Sequence, residues 1–192
     1  MSKQYYNKLI AGFRFDYCHH AKKVSYGGLR KRKSILGVAL HWTEGSSDTC
    51  YNECDYFANV NERYAGAHIF IDRQGHVGYS IPLKRVAWSV MSRGFNDGAY
   101  YGVLDNTNTV SIELCACKDP ATGEALPMSP EQEEKLYEVL RWVKSRCKNC
   151  VHFVRHYDIR QKQCPAYYVS HKDEWNSLKK YVETIIFKKG DL

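Results

Sequence analysis

Ile35-Leu36-Gly37-Val38-Ala39-Leu40-His41 is nearly continuous apolar sequence. A run of this length without alternation fits a central strand buried on both faces, the habit of parallel strands in sheets covered by helices. It ends on a histidine, where open α/β sheets commonly build their sites. Upstream, residues 1–34 are polar and aromatic and close with Arg30-Lys31-Arg32-Lys33, which reads as a solvated approach to this first strand. Cys18-His19-His20 offers metal donors, but three adjacent side chains of an extended segment cannot all face one ion, so they are read as non-ligands.

Downstream, Ser46 to Asn59 reads as a helix with Ser/Asp capping chemistry, its Cys50, Cys54 and Phe57 sharing one face. Ala67-His68-Ile69-Phe70-Ile71 is a strand running into a turn at Asp72–Gly75, with His76–Ser80 as its hairpin partner. His68 points away from Ala67, Ile69 and Ile71, either into a cleft or simply across a strand. Residues 92–108, rich in Gly, Asn, Asp and Tyr, form a long loop of the kind that often serves function. Thr109-Val110-Ser111-Ile112-Glu113-Leu114 alternates, with Ser111 and Glu113 on one face. An acid on such a face is solvated unless the face floors a cleft. Ser129-Pro130-Glu131-Gln132 starts a helix with the stripe Leu136, Leu140, Val143 and Cys147, and Ser170-x-x-Asp173 caps a last helix carrying Trp175, Leu178 and Val182.

The composition is that of a folded globular chain: 192 residues, 44% hydrophobic and 14% aromatic. No apolar run approaches the roughly 18 residues of a membrane helix, and the N-terminus lacks the apolar core of a secretory signal. The expectation is therefore synthesis in a cytoplasm, no membrane insertion, and eight reduced cysteines rather than a disulfide frame. A net charge of +7 suits a polyanionic partner without choosing one. Nucleic acid is not expected, because no compact CxxC…HxxxH module is present.

Chemistry concentrates in Val154-Arg155-His156-Tyr157-Asp158-Ile159-Arg160-Gln161-Lys162-Gln163-Cys164-Pro165. An imidazole and a thiol stand eight residues apart, with an ammonium two residues before the thiol. Both donors suit zinc, but two ligands do not make a site, since a catalytic zinc takes three and leaves one position open. The plain alternative is a buried Cys beside a surface His, and His41 is open to the same two readings. Cys147-x-x-Cys150 closes a helix rather than opening one, and no second CxxC completes a four-cysteine site.

Taken in order, Val38–Gly45 (VALHWTEG), Ala65–Gly75 (AGAHIFIDRQG), Asn108–Leu114 (NTVSIEL) and Val154–Pro165 resemble the zinc-dependent N-acetylmuramoyl-L-alanine amidases of phage endolysins and bacterial autolysins, relatives of the peptidoglycan-recognition proteins. The resemblance spans roughly residues 35–166. It implies a single α/β domain with a central mixed β-sheet flanked by helices, residues 35–192 forming the catalytic domain and 1–34 an N-terminal extension packed on it. It implies His41, His156 and Cys164 as ligands of Zn2+, Glu113 as the strand acid acting as base, and Lys162 as the lysine near the scissile carbonyl. A tyrosine used by another branch is replaced here by Ala67, and Ser89 stands where some relatives carry histidine. The implied substrate is peptidoglycan, cut between N-acetylmuramic acid and L-alanine by a monomeric phage or prophage endolysin that reaches the wall after release. A non-catalytic peptidoglycan-binding module is the alternative, and such relatives lack the cysteine ligand.

Overall fold

The computed structural model describes residues 6–188. In chain order its strands are β1 (Tyr6–Ile10), β2 (Phe13–Cys18), β3 (Tyr26–Leu29), β4 (Gly37–Trp42), β5 (Ile69–Ile71), β6 (Val77–Tyr79), β7 (Arg85–Ala87), β8 (Thr109–Leu114) and β9 (His152–Arg155). Its helices are α1 (Cys50–Asp55), α2 (Pro130–Arg146), α3 (His156–Ile159), α4 (Ala166–Ser170) and α5 (Lys172–Tyr181). Seven strands form one mixed sheet in the order β1-β2-β6-β5-β8-β4-β9, and β3 with β7 forms a separate two-stranded ribbon.

β4 lies between parallel β8 and β9, and Val38, Ala39 and Leu40 are fully buried. The apolar run is therefore explained by cover on both faces. Burying a Val or Leu side chain in this way contributes roughly 1.5–3 kcal/mol. Leu136, Val139, Leu140 and Val143 of α2 join one core with Val38, Leu40, Val110 and Ile112. Helix α2 begins as expected: Ser129 accepts from the Gln132 amide at 3.1 Å, and Gln132 reaches back to the Ser129 amide at 3.0 Å.

Several expectations need correction. β4 is the fourth strand, not the first. Within the 1–34 segment, whose residues 1–5 lie outside the described ones, β1 and β2 join the main sheet through parallel pairing of β2 with β6. Arg30 is not solvated: its guanidinium donates to the carbonyls of Leu83, Asn106, Thr107 and Thr109, and only Lys31–Lys33 remain exposed. The first helix starts later than Ser46, capped by Thr49 through a reciprocal pair of bonds with Asn52. Ser46 and Asp48 were misleading because Asp48 instead accepts from the Ala116 amide at 2.9 Å and from the Thr43 hydroxyl. Ser170 does not cap α5; its hydroxyl bonds back to the Ala166 carbonyl within α4. All eight cysteines are buried free thiols.

Candidate metal centre and its cleft

Three adjacent parallel strands end together, and polar side chains stand at or just beyond their ends. His41 of β4 is in register with Glu113 of β8, while β9 pairs Arg155 with Leu40, so the next residue, His156, arrives beside His41. The two imidazole rings lie 4.8 Å apart, edge to face. His156 opens α3, a single turn that would fray without support. Asp158 supplies it by accepting from the Arg155 amide at 2.8 Å and from the Arg155 guanidinium at 2.6 Å. That guanidinium also donates to the Tyr168 carbonyl at 2.6 Å and lies 5.0 Å from the Trp175 ring centroid. The chain then folds back, the Tyr157 amide donating to the Cys164 carbonyl at 3.1 Å, and Sγ of Cys164 comes 3.7 Å from Nδ1 of His41.

Among the described residues, His41, His156 and Cys164 form the one cluster of at least three donor side chains placed to hold an ion, with donor atoms within 4.8 Å of one another and every member buried. Zinc bond lengths and a tetrahedral angle set nitrogen and sulfur about 3.6 Å apart. The 3.7 Å Sγ–Nδ1 distance fits that. His156 Nδ1 and Glu113 Oε2 are buried without a hydrogen-bond partner, an arrangement that normally costs about 1–3 kcal/mol per group. Two imidazoles, one thiol and unpaired lone pairs fit a thiophilic divalent cation.

The electrostatics agree with that use. Burial, then the neighbouring His156 and Lys162, hold His41 well below the usual imidazole range. Burial, followed by Lys162, takes His156 down to about 3, so both rings keep free lone pairs at neutral pH. Burial pushes the Cys164 thiol up, so the protein's own groups leave the proton on sulfur and cation binding must release it. Glu113 is raised to about 8 by burial, against the opposing pull of Lys162. Its Oε1 lies 3.9 Å from His41 Nδ1.

The Glu113 face of β8 does floor a cleft of ≈ 1060 Å³, shared with His41, His156, Lys162 and Cys164. Glu44, Glu53 and Arg63 stand on its walls with Tyr64, Trp88 and Arg93. Lys162 is partly exposed, its ammonium 3.5 Å from Glu44. All five residues singled out from sequence therefore meet in one place. His68 does not join them; it is fully buried in a hydrogen-bonded network between strands. His19 pairs with Asp55, and Cys147 and Cys150 are buried, with burial raising both thiols. Ser89, given no role, contacts the Ser111 hydroxyl in the cleft wall.

Sequence reasoning missed Ser92, whose hydroxyl lies 3.1 Å from His156 Nε2, and the Arg155–Asp158 brace. The brace was visible as opposite charges three residues apart flanking the histidine. For Ser92, the only signal was membership of a long loop.

The profile of the family described as N-acetylmuramoyl-L-alanine amidase matches residues 31–167. A probable N-acetylmuramoyl-L-alanine amidase of Bacillus licheniformis is 26% identical over 166 residues, covering 83% of this chain and 44% of that protein. The amidase BlyA of Bacillus subtilis is 32% identical over 161 residues, covering 80% of this chain and 42% of its own length. The chain thus spans less than half the length of these curated relatives. In fold it is similar to the PlyG catalytic domain, with a TM-score of 0.66 at 18% identity over 90% of this chain and 97% of that one. The catalytic domain of XlyA aligns with a TM-score of 0.62 at 17% identity, covering 84% and 95%. With a profile match running from the approach to β4 through the Cys164 loop, the chain belongs to the N-acetylmuramoyl-L-alanine amidase family.

Proposed function

We propose that this protein hydrolyses the amide between the lactyl group of N-acetylmuramic acid and L-alanine in peptidoglycan, with Zn2+ held by His41, His156 and Cys164. The observation that carries the reading is the convergence of these three buried donors with Glu113 and Lys162 on one cleft floor. Zinc, when bound, supplies Lewis-acid chemistry, bringing water towards a pKa of about 7 and polarising a carbonyl oxygen.

The remaining work falls to protein groups. Glu113, at the end of β8 and beside His41, is the base that accepts the proton of the attacking water and returns it to the departing amine nitrogen. Lys162, fixed by the short loop between α3 and Cys164, places a positive charge where negative charge grows on the carbonyl oxygen. The open cleft, with Tyr64 and Trp88 on its walls, admits a polymer rather than enclosing a small molecule. This unit is residues 35–192, with the described part of 1–34 completing the sheet edge. Action on the wall as an endolysin-type enzyme is consistent with the family, and no helix among the described residues is long and apolar enough to cross a membrane.

Mass spectrometry of purified peptidoglycan digested with the protein tests the proposal, with Cys164→Ser in parallel. New L-alanine amino termini and peptide-free glycan strands, absent with the variant, are expected. Binding without cleavage would replace the proposal with a recognition module, and cleavage between sugars would overturn the assigned bond.

A further inference from the structure

The long loop that leaves β7 runs directly over the ligand-bearing segment. Asn106 closes its base by accepting from the Ser89 and Val90 amides at 3.0 and 2.8 Å. Its middle clasps the residues between His156 and Cys164. The Gly98 and Tyr100 amides donate to the carbonyls of Ile159 and Asp158 at 2.9 and 2.7 Å, and the Gln161 amide donates to the Asn96 carbonyl at 2.9 Å. Asp97 and Arg160 add an ion pair at 3.1 Å. Ser92 is therefore held at both ends relative to His156. Its Oγ lies 3.1 Å from Nε2.

A neutral imidazole has one donor nitrogen and one acceptor nitrogen, and its partners decide which is which. The Ser92 hydroxyl faces Nε2 of the His156 ring, whereas Nδ1 is buried without any partner. A proton on Nε2 satisfies the first side and leaves the Nδ1 lone pair bare on the second.

We infer that Ser92 is a positioning residue of the metal centre: its hydroxyl accepts the Nε2 proton of His156, which fixes the tautomer and aims Nδ1 at the cation. The inference rests on the zinc reading above and concerns a residue outside the ligand set. Partners of this kind orient the ring and raise its basicity, and their loss typically lowers metal affinity 10–100-fold. Threonine keeps the hydroxyl, so it should keep the function.

The test is zinc affinity of the full chain, by competition with a chromophoric chelator, for wild type, Ser92→Ala and Ser92→Thr. Thermal unfolding of the zinc-free proteins and the visible spectrum of the cobalt-substituted forms accompany it. Expected are affinity lower by about 10–100-fold and an altered cobalt spectrum for Ser92→Ala, recovery of both in Ser92→Thr, and zinc-free proteins that melt together. Wild-type affinity in Ser92→Ala would overturn the inference while leaving the zinc reading intact. So would a folded Ser92→Thr as weak as Ser92→Ala, or a zinc-free Ser92→Ala that melts well below wild type. A wild-type protein that takes up no zinc, or a His156→Ala variant that keeps it, would remove the zinc reading and the inference with it.

Discussion

His68 and the His41–His156 pair are equally buried, yet they live by opposite rules. At His68 both ring nitrogens have partners. The Ser111 amide donates to Nδ1 at 3.0 Å, so the proton must sit on Nε2, which donates to the Arg85 carbonyl at 3.1 Å. The Arg30 guanidinium also crowds that nitrogen: its Nη2 lies 2.8 Å from Nε2, while its Nε and Nη1 donate to backbone carbonyls, the closest being Thr109 at 2.7 Å. At the other centre, His41 Nε2, His156 Nδ1 and Glu113 Oε2 are buried and unpaired. A satisfied buried histidine is architecture. Leaving such atoms unpaired carries a real free-energy cost, and at His156 Nδ1 a cation held by His41, His156 and Cys164 would offset it.

The sharpest way to break this contrast is to remove a ligand. Cys164→Ser or His41→Ala should lose zinc and amidase activity together, down to the protein-free control, as metal analysis and digestion assays would show. A Cys164→Ser protein holding stoichiometric zinc and cutting at the normal rate would end the distinction. Next, Glu113→Gln should keep zinc but lower kcat by roughly 10²–10⁴-fold, since only the proton transfer is lost. Equal loss of zinc in that variant would make Glu113 part of the metal site instead. Lys162→Met should keep zinc too and lower kcat by about 10²–10³-fold, the usual effect of removing one oxyanion-stabilising donor.

The smallest effect on the metal centre belongs to the satisfied side. His68→Ala leaves the Ser111 amide and the Arg85 carbonyl unpaired, so stability should fall by about 2–6 kcal/mol, measured by urea unfolding, while zinc content stays at wild-type level. The pH dependence has a definite sign. Burial, then Arg30, hold the folded pKa of His68 well below that of the unfolded residue. The unfolded chain therefore binds the extra proton first. The stabilisation from neutral His68 is complete above about pH 6.5 and is lost as the pH falls below it. Wild type should consequently lose stability between pH 7.5 and pH 5 more steeply than His68→Gln, a variant that cannot take up that proton. Parallel slopes would show that His68 does not titrate on unfolding.

Much of this was legible along the chain because it was local. The Ile35–His41 run declared cover on both faces, and Ser129-Pro130-Glu131-Gln132 declared a helix start that the hydrogen bonds match. What failed was also local chemistry with a competing tertiary use: Asp48 serves the Ala116 amide rather than a helix N-terminus, and Arg30 serves four backbone carbonyls rather than solvent. A side chain that bonds equally well to near and distant backbone groups does not reveal its choice in sequence.

For the candidate site, sequence by itself determined the donor types, their order and the strand ends on which they stand, because strand periodicity and the His156–Cys164 spacing are properties of short segments. Read from the residues alone, His68 stayed a cleft or a strand residue, His41 a ligand or a core residue, and Glu113 solvated unless its face floored a cleft; only the family resemblance assigned the last two. Only the tertiary structure separated them in space, since parallel pairing of β8, β4 and β9 brings three strand ends into one register on the floor of a cleft, with the clasped loop holding the segment that follows His156. Whether a buried polar atom finds a partner depends on neighbours as many as 123 residues away in the chain, as Cys164 is from His41, and no local pattern encodes that distance.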